Sequence, residues 1–141
     1  MKTKFIFFIL LTATLQMASA QSDGILRNRS NVQIGKIQSD GVIRNSSNTQ
    51  IGKIEANGIV RDHSNAQIGK IDTDGVIRDR SNTQIGRIDD NGVVRDRSNA
   101  QIGKIDTDGV IRNGSNAQIG SAKGIKREWA AVVFFFFDFN F

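Results

Sequence analysis

The sequence predicts an all-β fold built from tandem 17-residue repeats, and three observations lead there. From Asp23 the chain reads DGILRNRSNVQIGKIQS, DGVIRNSSNTQIGKIEA, NGIVRDHSNAQIGKIDT, DGVIRDRSNTQIGRIDD, NGVVRDRSNAQIGKIDT and DGVIRNGSNAQIGSAKG, six copies of 17 residues with no insertion. Each copy carries two short β-branched runs, such as Val76-Ile77-Arg78 and Gln84 to Ile88. Each run is bounded by turn residues, an Asp-Gly or Asn-Gly step on one side and a Ser-Asn pair on the other. Glycines and β-branched residues at this density cannot sustain a helical apolar stripe.

The first element precedes the repeats. Lys2 and Lys4 stand before an apolar run from Phe5 to Leu11, and Ala18-Ser19-Ala20 offers a small-residue cleavage site. Residues 1–20 therefore read as a secretory signal peptide, too short in its apolar part to span a bilayer, and the protein is expected to be exported to the periplasm, the cell surface or the medium. Residues 21–141 read as one β-repeat domain, with repeats over 23–124 and a closing segment over 125–141.

The mature chain has no cysteine, which removes disulfide staples and thiolate chemistry together. Two of the 19 basic residues lie in the signal, leaving 17 against 14 acidic residues, a net of +3. The signs are interleaved and the repeats contain no aromatic residue, so nucleic-acid binding is not expected.

Within the repeats, Asp72-Thr73-Asp74-Gly75 has Asp at the first position of a type I turn and Gly where a positive φ is wanted. That predicts three-residue hairpin loops with a G1 bulge, repeated at Asp40-Gly41, Asn57-Gly58, Asn91-Gly92 and Asp108-Gly109. Complete hairpins then straddle the repeat boundaries, from Ile34 to Arg44, Ile51 to Arg61, Ile68 to Arg78, Ile85 to Arg95 and Ile102 to Arg112. Half-units remain at Gly24 to Arg27 and Gln118 to Ser121, to pair with each other as a sixth hairpin or with whatever follows. Isolated hairpins are marginal in water, so these must associate side by side.

The repeats supply only 24 large aliphatic residues, Ala122 standing where the last isoleucine would be. The missing apolar mass sits in the tail, where Trp129-Ala130-Ala131-Val132-Val133 leads into six of the nine phenylalanines. Phenylalanine with valine favours strand, and the run is too short for a membrane helix. The expectation is a closing strand that docks on the repeats and fills their centre, with Phe135, Phe137, Phe139 and Phe141 on one face and Phe134, Phe136, Asp138 and Asn140 on the other, leaving the core near Asp138.

This combination of signal peptide, serial hairpins with I-G-K-I followed by D-G-V-I-R, and a closing Ala-Ala and phenylalanine-rich segment resembles the secreted bacterial family of five-fold β-flower proteins, over essentially all of residues 21–141. The resemblance implies five hairpin petals about a pseudo-axis. It carries no activity to any residue.

Candidate chemistry is sparse. The Asp-Gly turns at Asp72, Asp74, Asp106 and Asp108 resemble the front of a calcium loop but lack its third leading ligand and its closing glutamate, so turn formation accounts for them and no metal or other cofactor is expected. His63, the only histidine, occupies the most variable slot of the repeat, and Glu55 and Glu128 are the only glutamates. No nucleophile, base and acid constellation emerges, and no enzyme is expected. The repeated arginines, Arg27, Arg44, Arg61, Arg78, Arg95 and Arg112, would form a ring in a closed arrangement and would suit an anionic glycan or another anionic envelope component. Beside acidic neighbours they also suit plain solvent-face pairing. The sequence supports a secreted structural or binding module, the alternative being an envelope-associated protein that docks on a membrane or partner through its phenylalanine tail.

Overall fold

The computed structural model describes residues 23–141, so the signal peptide expected over 1–20 lies outside the described residues. Twelve strands follow one another: β1 (Gly24–Asn28), β2 (Gln33–Ile37), β3 (Val42–Asn45), β4 (Gln50–Ile54), β5 (Ile59–Asp62), β6 (Gln67–Ile71), β7 (Val76–Asp79), β8 (Gln84–Ile88), β9 (Val93–Asp96), β10 (Gln101–Ile105), β11 (Val110–Asn113) and β12 (Gln118–Lys123). Each pairs antiparallel with its neighbours in the chain, and β1 pairs with β12 through Ile25 to Asn28 opposite Lys123 to Gly120. The terminal half-units thus pair with each other, and the all-β repeat closes into an edgeless barrel.

The two rims use one turn geometry with different residues. At the first, five Asp-Gly or Asn-Gly turns form the expected three-residue loops: the Gly75 N–H donates to the Asp72 carbonyl at 3.0 Å, the Asp72 N–H to the Val76 carbonyl at 2.8 Å, and Gly75 has φ +87°. At the second rim, the asparagine of each Ser-Asn pair takes the left-handed position, from φ 64° at Asn31 to 69° at Asn99. The residue three before it closes the loop with its own side chain. Asp79 Oδ1, for example, accepts the N–H groups of Ser81 at 2.9 Å and Thr83 at 3.1 Å.

Strand alternation sends one residue per strand into a central layer. Six cross-strand pairs make it up: Leu26 with Ala122, Ile37 with Ile43, Ile54 with Val60, Ile71 with Ile77, Ile88 with Val94, and Ile105 with Ile111. All twelve are buried. A bulge in every repeat lets two residues oppose one. Ile77 faces Gly86 while Arg78 faces Gln84, which leaves Ile85 as the extra residue, packed against the core.

The tail corrects the expectation of a closing strand. Residues Arg127–Ala131 form α1, Val132–Phe136 continue as a π-helix closed by the Phe137 N–H donating to the Val132 carbonyl at 3.0 Å, and the chain turns extended at Phe137, with a left-handed Asn140 at φ 57° before the last residue. The barrel is closed by β1 and β12, so its wall has no free edge for another strand to pair with. A segment alone in an apolar lumen must satisfy its own backbone groups, which a helix does and a lone strand cannot. Ala130, Ala131 and Val132 are fully buried, and these small side chains let a helix fit inside the aliphatic layer.

The phenylalanines then seat one by one on the glycines of the six Gln-Ile-Gly segments. Phe134 lies over Gly120, Phe135 over Gly103, Phe136 over Gly86, Phe137 over Gly69, Phe139 over Gly52 and Phe141 over Gly35. A methyl group on any of these glycines would lie 2.3–2.8 Å from a ring carbon and 2.3–2.9 Å from the backbone carbonyl of the repeat arginine on the adjoining strand. Helical rotation aims four consecutive rings at four different repeats; in the extended end, alternate residues reach the last two. The expected two-faced strand leaving at Asp138 is therefore also corrected. Asp138 and Asn140 are exposed, but Phe139 is only 5% exposed and Phe141, at 40%, is the most open ring.

Candidate functional site

The six repeat arginines follow inward-facing residues such as Ile43 and Ile77 and so point outward, each on a different repeat. Every one donates from Nη1 to the carbonyl of the left-handed asparagine four residues on, at 3.0–3.2 Å for Arg27, Arg44, Arg61, Arg78, Arg95 and Arg112. Five also use Nε across their hairpin: Arg44 to Gln38 Oε1 at 2.7 Å, Arg61 to Glu55 at 3.3 Å, Arg78 to Asp72 at 2.9 Å, Arg95 to Asp89 at 2.9 Å and Arg112 to Asp106 at 3.1 Å. Each guanidinium ties a turn to a neighbouring strand end. Closure of the barrel disperses the six around its outside and does not converge them on one ligand.

The cross-strand partners of five of these arginines are also cationic, as in Lys70 opposite Arg78 and Arg87 opposite Arg95. Like charges directly opposite destabilise a sheet. The turn carboxylates relieve this, Asp89 bridging Arg87 at 2.9 Å and Arg95 at 2.9 Å, and Asp72 bridging Lys70 at 3.9 Å and Arg78. Asp74 and Asp108 accept the backbone N–H groups of Val76 at 3.3 Å and Val110 at 3.1 Å. Side chains that resembled a calcium loop are thus engaged in turns and ion pairs. Among the described residues no cluster of three His, Cys, Asp or Glu could hold a metal. His63 is exposed in its turn.

One place breaks the repeat symmetry. Arg127 donates to the Asp90 carbonyl and α1 packs against β10, so the helix leans toward one side of the Asp-Gly rim. On another side, Trp129 and Lys126 wall two adjoining clefts. The first, about 260 Å³, has Ile37, Ile54 and Ile125 among its apolar walls and Gln38, Ser39 and Asp40 among its polar ones. The second, about 300 Å³, reaches Glu55, Asn57, Asp72 and Glu128. The two share Ala56, Lys126 and Trp129, and the Lys126 ammonium sits 5.2 Å from the centre of the indole ring.

The repeats explain why a cleft opens here. The slot of Gln38 holds Glu55, Asp72, Asp89 and Asp106 in the other hairpins, and the slot of Ala56 holds Ser39, Thr73, Asp90 and Thr107. Gln38 gives its carbonyl oxygen to Arg44 and so keeps its amide hydrogens for another partner. Ala56 is the smallest residue of its set. Sequence reasoning missed Gln38, Ala56, Lys126 and Trp129 as a group, although the loss of an acidic residue at 38 was visible in the aligned repeats.

Among the described residues no helix is long and apolar enough to cross a membrane. Comparison with curated proteins and with solved structures returned no match. The family model described as "5-fold beta-flower protein" matches residues 16–138, nearly the whole chain, and with its serial hairpins about a common axis the chain belongs to the 5-fold β-flower family.

Proposed function

We propose that this small repeat protein is an exported, non-catalytic binding module whose ligand contacts lie on the Asp-Gly rim. The carrying observation is that its own tail fills the lumen: Ala130, Ala131 and Val132 are fully buried, and each of the six phenylalanines is seated on a repeat glycine. The interior is thereby committed to stability, and contact with other molecules falls to the outer surface and rims. The Trp129 clefts are where that surface departs from repetition and combines an aromatic wall with free polar groups. Export rests on the leader-like residues 1–20. The glycine seats favour an internal role for the phenylalanines over membrane or partner docking.

Hydrogen–deuterium exchange on the exported protein, alone and mixed with the envelope fraction of the producing cell, tests this reading. New protection is expected in the turns at 38–41 and 55–58 and in residues 124–129. The reading fails if none of these rim segments gains protection.

A further inference from the structure

We propose that the paired clefts on Trp129 bind an uncharged hexopyranose chain, one sugar ring against the indole and the next across Ala56. The inference rests on the binding-module reading and names its ligand. Charge narrows the choice first. Glu55 and Asp72 are already paired with Arg61 and Arg78, and Asp40 and Glu128, which pair with no cation among the described residues, leave the two clefts a carboxylate excess over Lys126, which disfavours an anion. Lys126 already places its ammonium over the indole at 5.2 Å, so a ligand cation would meet a resident like charge. A neutral ligand remains.

The polar groups narrow it further, because they offer donors and acceptors in close alternation. Gln38 has a free amide NH₂, Ser39 a hydroxyl that both donates and accepts, and Lys126 its ammonium hydrogens. Asp40 uses Oδ1 for the Val42 N–H at 3.1 Å, which leaves Oδ2 as an acceptor. Across Ala56, Asn57 adds an amide. A pyranose ring meets this set: its hydroxyls both give and take hydrogen bonds, and its C–H face is drawn to the negative face of an aromatic ring. Clefts of about 260 and 300 Å³ lie just below and at the lower bound of the ligand-site range, suited to no more than one ring apiece.

Trp129 is the only tryptophan in the protein, so its fluorescence reports on the site directly. The exported protein is titrated with cellotetraose, maltotetraose, mannotetraose and chitotetraose, and with tetramethylammonium chloride as a cationic control. Two variants are compared, Gln38→Asp, which removes the amide donor, and Ala56→Thr, which narrows the passage between clefts. Both install residues that other repeats carry at the same slot, so both should fold and melt as the parent does.

A saturable emission change with at least one oligosaccharide, weakened roughly tenfold or more in each variant, supports the inference. A sugar response that neither variant alters places the sugar elsewhere and overturns it. A response to tetramethylammonium alone, or to none of the probes, also overturns it. In those cases exchange protection at the rim decides separately whether the binding-module reading survives.

Discussion

The one-to-one seating of phenylalanines on glycines is the most specific packing claim, and Gly103→Ala tests it. The added methyl would meet Phe135 Cζ at 2.4 Å and the Arg112 carbonyl oxygen at 2.5 Å, well inside contact distance on both sides. Either the ring or the strand must yield, and overpacking of this kind costs about 1–3 kcal/mol. For a domain of this size the melting temperature should fall by roughly 4 °C per kcal/mol. Phe135→Ala should cost about 2–3 kcal/mol, below the full-burial range because the ring is only partly buried. In the double variant the ring clash disappears while the carbonyl clash stays. The two substitutions should therefore couple by about 0.5–1.5 kcal/mol in urea unfolding, whereas Gly103→Ala with Phe139→Ala, whose ring sits on Gly52, should add within about 0.5 kcal/mol. Equal coupling for the matched and mismatched pairs would refute the seating.

Deleting residues 130–141 empties the lumen and should abolish cooperative unfolding; a truncated protein that melts at the parent temperature would refute a core role for the tail. Arg78→Ala should lower stability by only about 0.2–1 kcal/mol, and high salt should shrink the difference, because the Asp72 pair is partly exposed. Calcium should be dispensable, so a chelator that lowers the melting temperature, with recovery on added calcium, would contradict the turn assignment of Asp72, Asp74, Asp106 and Asp108. Mass spectrometry of exported protein should find Gln21 at the N-terminus, and retention of residues 1–20 would remove the argument for export.

The wall of the barrel was legible because its determinants are local. Gly at a positive-φ turn position, β-branched alternation and a fixed 17-residue period each act within a few residues, and together they set hairpin, register and repeat. The tail was misread because its conformation depends on closure. Phenylalanine and valine favour strand only where an edge is available, and pairing of Ile25 with Lys123 and Leu26 with Ala122 removes the last edge. A count could have anticipated the outcome: six Gln-Ile-Gly glycines leave six inward vacancies, and the tail has six phenylalanines.

The candidate site shows why function is harder to read than fold in a repeated chain. A feature present six times is first of all a requirement of the unit, and the arginines obey this: each spends its guanidinium on the turn that follows it, and the closed geometry spreads them apart. Recognition of one ligand at one place needs asymmetry, which in this protein comes from slots where a repeat departs from its fellows and from the tail that follows them. Gln38 is such a departure and Ala56 is the smallest hairpin occupant of a variable slot; neither has an evident advantage for folding, since Asp72 and Thr73 fill the equivalent slots in an otherwise similar hairpin. They become informative only beside Trp129 and Lys126, which the tail delivers to the rim where Gln38 exposes a donor and Ala56 leaves space. If Gln38→Asp and Ala56→Thr leave stability unchanged while altering binding, the departures belong to recognition; if they raise stability and leave binding alone, they are drift within the repeat, and the rim has no site there.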